Sequence, residues 1–210
     1  LVLRTNTGEV GALLRHNIDP EDVLIRDCSK QQPLPFSYLH QGGDSKECID
    51  VVILAEGYTA DEMDTFMADA RIAADEILAY EPFKSHSDKF NFIAVQSPSR
   101  DSNVSVPQDE AWRETAVGSN FMTFYMERYL TSGNVYAMYD LVTNIPCEHF
   151  IILANTDTYG GGGIYNSYTL TTAHHPAFRP VVVHEFGHSF GGLGDEYFYE
   201  GNLDNDEMHS

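Results

Sequence analysis

Apolar positions along the chain follow two different rhythms, and the change from one to the other marks the elements. Residues 49–55 read Ile-Asp-Val-Val-Ile-Leu-Ala, a short β-branched run that suits a strand buried on both faces. Thr59 and Glu62 then have the spacing of a capping box, in which each side chain satisfies a free backbone N–H at a helix start. Met63, Phe66, Met67, Ala70, Ala73, Ala74, Ile77 and Leu78 follow at helical spacing, predicting an amphipathic helix of about five turns that closes near Glu81 and Pro82. Residues 90–95 and 149–154 are two further strand candidates, and residues 121–130 and 136–142 two helix candidates separated by Gly133 and Asn134. This order predicts an α/β sandwich with a mostly parallel sheet. Before residue 47 the pattern is weak and broken by Pro20, Pro33, Pro35, Gly42 and Gly43. Residues 1–46 are therefore expected to be the tail of an N-terminal domain and a linker, with a second domain over 47–210.

A last helix is expected around residues 181–190. Val181, Val182, Val183, Phe186 and Phe190 give it apolar surface, and Pro176 and Pro180 fall where a first turn tolerates proline. His184 and His188 stand four residues apart on it, so both project from one face and can grip one divalent ion. Glu185 lies about 100° further round, beside such an ion, where a general base is needed. Zinc with three protein ligands keeps a position for water, lowers its pKa to about 7, and leaves a neighbouring carboxylate to take its proton. The third ligand must come from beyond the helix. Gly191 is expected to end it in the left-handed conformation and turn the chain back, with Asp195 and Glu196 the first carboxylates after the turn. The shorter Asp195 is the expected ligand and Glu196 a residue orienting a histidine. H-E-x-x-H alone arises by chance in roughly one chain per hundred; the glycines, carboxylates and apolar face around it make chance a poor explanation here.

Composition narrows the partners. The 210 residues are 42% hydrophobic, enough for a domain with a buried core. Asp plus Glu number 32 against 12 Lys plus Arg, a net charge of −20 that repels phosphate backbones and anionic membranes, so no nucleic acid is expected as a partner. No apolar run approaches the roughly 20 residues of a membrane span. Cys28, Cys48 and Cys147 form no C-x-x-C pair and leave compartment and disulfide status open. A chain opening on Leu1 is expected to be a trimmed product. The run Tyr159-Gly160-Gly161-Gly162-Gly163 lacks the ending of a phosphate-binding loop.

HEFGHSFGGLGDEY, over residues 184–197, resembles the active-site signature of the IgA peptidase family of bacterial zinc metalloendopeptidases, a metzincin-like group. IDVVILAEGYT, EPF at 81–83, FN at 90–91 and GGGGIYN are similar to that family too, and the likeness covers roughly residues 47–200. The resemblance implies a metzincin-like sandwich, zinc on His184 and His188, catalysis by Glu185 and a carboxylate ligand best matched by Asp195. It also implies a protein or peptide substrate, a secreted or cell-envelope location, and an edge strand over residues 164–170 that holds substrate backbone, for which a plain core strand is an equal alternative. In the wider metzincin pattern the third ligand stands three residues after the glycine, where this chain has Gly194. Only 13 residues follow Tyr197, and Met208 lies too near the motif to form the methionine turn beneath the metal. The catalytic domain is accordingly expected to be incomplete at its C-terminus.

Other candidates are weaker. His174 and His175 have no ligand spacing. Tyr165, Tyr197 and Tyr199 are candidate oxyanion donors for which packing is the better expectation, and Asp204, Asp206 and Glu207 read as a solvated acidic tail rather than a calcium site. The leading expectation is a zinc endopeptidase in which Glu185 activates zinc-bound water. The alternative is a cell-surface binding protein that retains a structural metal, against which the presence of Glu185 argues; a metal-dependent hydrolase of another amide is a third reading.

Overall fold

The computed structural model describes residues 27–196, together with residues 2–4, 10–12, 17, 19–23 and 25. Tyr197, Tyr199, Asp204, Asp206, Glu207 and Met208 lie outside the described residues. The chain divides into two compact units, Leu1–Gln31 and Gln32–Ser210. In the first, β1 (Val2–Arg4) pairs antiparallel with β2 (Val10–Ala12).

The second unit is built on a six-stranded sheet. Its strands are β3 (Phe36–Gln41), β4 (Ile49–Glu56), β5 (Phe90–Val95), β6 (His149–Ala154), β7 (Gly161–Ile164) and β8 (Tyr168–Thr172), in the order β3-β5-β4-β6-β8-β7. The four central strands are parallel, and each edge strand is antiparallel to its neighbour. In β4, β5 and β6 nearly every residue is buried because both faces are covered, which is why they read as continuous apolar runs. Two helices, α1 (Met63–Ala79) and α3 (Phe178–Gly191), cover one face through Val51, Ile53, Phe92, Ala94, Ile151 and Leu153. The other face, with Val52, Leu54, Ile93 and Ile152, is covered by α2 (Val135–Leu141) and the long irregular connection from β5 to β6. The capping box forms as expected: the Thr59 N–H donates to Glu62 Oε2 at 2.8 Å, and a 3-10 turn, Ala60–Glu62, leads into α1.

Three sequence expectations are corrected. Residues 36–41, read as linker, form β3; Phe36 and Tyr38 stay exposed on this sheet edge and Leu39 is its one buried apolar residue, so the apolar pattern is faint. Residues 121–130 are not a helix. Phe121 and Leu130 both point into the core, but Asn120 bridges Thr131, so the chain loops back between them and holds only a 3-10 turn, Thr123–Tyr125. Residues 164–170 are not one edge strand but the end of β7, a turn with Asn166 left-handed, and the start of the inner strand β8; the edge is β7. No helix among the described residues is long and apolar enough to cross a membrane.

Candidate metal centre

The helix α3 is fixed to the sheet from beneath before any ligand is considered. Val182 and Phe186 are fully buried, and Phe186 stacks on Phe190 with centroids 5.0 Å apart inside a cluster with Phe83 and Phe90. Ser189, also fully buried, meets Thr169 Oγ1 at 2.5 Å and His149 Nε2 at 3.0 Å, tying the helix to β8 and β6. Burial pushes the His149 imidazole down to about 4, so this tie is made by a neutral ring.

The opposite face of α3 carries the donors. His184 Nε2 and His188 Nε2 are 3.0 Å apart, and Asp195 Oδ1 lies 3.3 Å from the first and 3.2 Å from the second. Donors around a tetrahedral zinc at about 2.0–2.1 Å stand about 3.3 Å apart, close to the three edges of the triangle. The donor chemistry fits as well. His188 Nδ1 is 2.6 Å from the Leu193 carbonyl, which can only accept, so Nδ1 carries the proton and Nε2 presents its lone pair to the triangle. These three residues are the group of metal-ligating side chains found among the described residues. Glu196, exposed beside them, is outside it.

The turn that delivers Asp195 lies one residue later than expected. Gly191 is the last helical residue, and Gly192, with φ 64°, is the left-handed one. Its N–H donates to the His188 carbonyl at 3.0 Å, and the Leu193 N–H to the Gly187 carbonyl at 3.2 Å. Counted from Gly192, Asp195 stands three residues on. Tyr165 packs its ring against Gly192: a Cβ there would sit 2.7 Å from that ring.

Glu185 faces the glycine strand β7. A Cβ on Gly161 would approach Glu185 Oε1 to 3.0 Å, and one on Gly163 would meet the Glu185 carbonyl at 2.4 Å and His188 Cβ at 2.7 Å. Only a strand without side chains can lie this close to the helix. Burial holds the Glu185 carboxyl above the ordinary carboxylate range, with His184, His188 and the Gly163 N–H pulling the other way. A cavity of about 400 Å³ opens beside these groups, its far wall formed by Phe124, Arg128, Tyr129 and Tyr159.

An H-E-x-x-H helix, a carboxylate closing the donor triangle and a glycine strand beside Glu185 suit a metal-dependent hydrolase. A family model described as IgA Peptidase M64 matches residues 38–209. The chain belongs to the IgA peptidase M64 family. No curated protein matches it significantly. Membership of M64 makes the chain a peptidase of a metallopeptidase family, with protein as its substrate class.

In this M64 chain His174 and His175 lie outside the donor group. His174 Nε2 contacts Asp69 Oδ2 at 2.9 Å, and Tyr58 donates to the same oxygen at 2.7 Å. His175 Nδ1 accepts from the Ala177 N–H at 3.1 Å, at the start of α3. Sequence reasoning missed the far wall of the cavity, because Arg128 lies in a segment whose apolar spacing mimics a helix. The glycine run did carry a signal: several glycines entering a strand mark a close backbone approach.

Proposed function

We propose that this M64 chain is a zinc-dependent endopeptidase in which Glu185 is the general base. The observation that carries the reading is the donor triangle of His184, His188 and Asp195 with Glu185 beside it. A zinc ion held there supplies a water of lowered pKa and polarises a peptide carbonyl. His184, His188 and Asp195 hold the ion; the Leu193 carbonyl keeps His188 in the ligating tautomer. Glu185, kept close to β7 by the glycines, accepts the proton of the attacking water and passes it to the departing amine. Burial raises its pKa, which strengthens it as the acceptor of the water's proton. The glycine strand above an H-E-x-x-H helix supports a metzincin-like fold; a secreted or cell-envelope bacterial location is proposed from the family resemblance alone.

Glu185→Gln keeps the size of the side chain and removes the base. The variant should bind zinc at the wild-type stoichiometry and cleave a denatured protein at least about a hundredfold more slowly. Full activity in a zinc-loaded Glu185→Gln protein would rule out the mechanism.

A further inference from the structure

We propose that Tyr165 is a positioning residue for the metal site: its ring braces the Gly192 turn in the closed form and so slows the loss of a bound zinc ion. The proposal rests on the zinc reading above and adds to that site a residue outside its donor set.

Four observations carry it. The first is a direct contact. Gly192 is left-handed at φ 64°, and a Cβ built there would sit 2.7 Å from Tyr165 Cε2, 3.1 Å from Cδ2 and 3.4 Å from Cζ. The ring thus occupies the space that a side chain would take, and glycine at 192 is what admits it. Second, the turn that presents the ring is itself fixed to the helix. The Asn166 N–H donates to the Ser189 carbonyl at 2.8 Å, and the Ser167 N–H to the Ile164 carbonyl at 3.0 Å, with Asn166 left-handed at φ 55°. Ser189 stands in the last turn of α3, where carbonyls lack partners within the helix, so this bond joins the β7–β8 turn to the helix end.

Third, the braced segment is thinly covered. Residues 191–196 are all exposed, and a Cβ on Gly194 would meet nothing within 4 Å. The Gly192 and Leu193 N–H groups close the turn on the carbonyls of His188 and Gly187. Exposed backbone bonds of this kind open locally at small cost, so a ring packed across them from another element alters how often they open. Fourth, the donor set depends on that turn: the Leu193 carbonyl meets His188 Nδ1 at 2.6 Å, and Asp195 completes the triangle. Tyr165 itself is 71% exposed, so its ring adds little to the core and can be removed without unfolding the chain.

The test compares the wild type with Tyr165→Phe and Tyr165→Ala. Zinc release from the loaded proteins is followed with a colorimetric chelator, at concentrations where the rate no longer depends on the chelator. Hydrogen exchange at the Gly192 and Leu193 amides is followed by NMR on the metal-free proteins, alongside urea midpoints. Tyr165→Ala should release zinc about threefold faster or more and exchange both amides faster by a similar factor, at an unchanged urea midpoint. Tyr165→Phe should match the wild type throughout, since the ring carbons make the contact. Equal release and exchange in Tyr165→Ala and the wild type would overturn the proposal and leave the peptidase reading standing. Faster release with unchanged exchange would also overturn it, by giving Tyr165 an action on the ion that bypasses the turn. So would a Tyr165→Phe protein that behaves like Tyr165→Ala, which would move the role to the hydroxyl, and so would a fall in urea midpoint with faster exchange throughout the protein. A wild type that bound no zinc would overturn the zinc reading, a failure told apart from that of the brace by the exchange measurement, which needs no ion.

Discussion

Asp195 is the residue on which the donor set turns. Its carboxylate oxygen is about equally far from both imidazole nitrogens, at 3.3 and 3.2 Å, while Glu196 is exposed and outside the group. Asp195→Ala should therefore lose most of its zinc after gel filtration, and Glu196→Ala should keep close to one equivalent, as read by atomic absorption. Zinc retained in the first and lost in the second would transfer the ligand role to Glu196. Gly163 is the second residue with a sharp expectation. A methyl group there collides with the backbone of Glu185 and with His188 Cβ, so Gly163→Ala must push β7 off α3. The substitution should cost about 1–3 kcal/mol and weaken zinc binding, whereas Gly133→Ala, with nothing within 4 Å, should be close to neutral. Equal stability of the two variants in urea would refute the close-approach argument.

At the scale of elements, α3 depends on a polar tie as much as on its apolar face. Ser189 reaches His149 on β6 and Thr169 on β8, and the His149 ring is buried enough that its pKa falls from 6.5 to about 4. The folded pKa is below the unfolded one, so between these values the unfolded chain takes a proton that the folded chain refuses. Stability from this residue is fully present above about pH 6.5, is lost as pH falls through the window, and amounts to roughly 3 kcal/mol in all. Urea midpoints of the metal-free protein should drop between pH 7 and pH 5, and His149→Gln should flatten that drop by about 2 kcal/mol; an unchanged slope would show that another group titrates there. The elements legible in the sequence were those whose pattern reports burial directly: β4, β5 and β6 as two-faced apolar runs, α1 by its stripe and capping box, α3 by its histidines and apolar face. The segment 121–130 misled because Phe121 and Leu130 are core residues at the two ends of a loop, and a loop returning on itself can imitate helical spacing. β3 was hidden by its exposed edge. In the site, the histidines and Glu185 could be read from spacing, but the far wall could not, since Arg128 and Gly161 meet only through tertiary pairing.

Taken whole, the molecule carries a large uncompensated charge, −20 over 210 residues, which repels itself when the chain is compact. Raising ionic strength from 0.01 M to 0.1 M shortens the Debye length from about 30 Å to about 10 Å. The thermal midpoint of the metal-free protein should accordingly rise by a few degrees over that range in sodium chloride; a flat or falling midpoint would mean that attractive pairs outweigh the repulsion. Among the described residues, exposed pairs such as Arg100 with Glu114 and Lys89 with Asp88 contribute little. The same charge bears on what the enzyme meets, because an anionic polypeptide approaches against the overall field and gains only where a local cation reverses it.

The turn at Gly192 gives the site an all-or-nothing character. One peptide segment orients His188 through the Leu193 carbonyl and also brings Asp195 to the triangle. If that turn opens, the imidazole is released from its tautomer at the moment the carboxylate departs, so two holds on the ion fail as one. On the proposed metal site Gly192 would therefore act as a clasp, since one glycine turn would govern both holds on a bound ion.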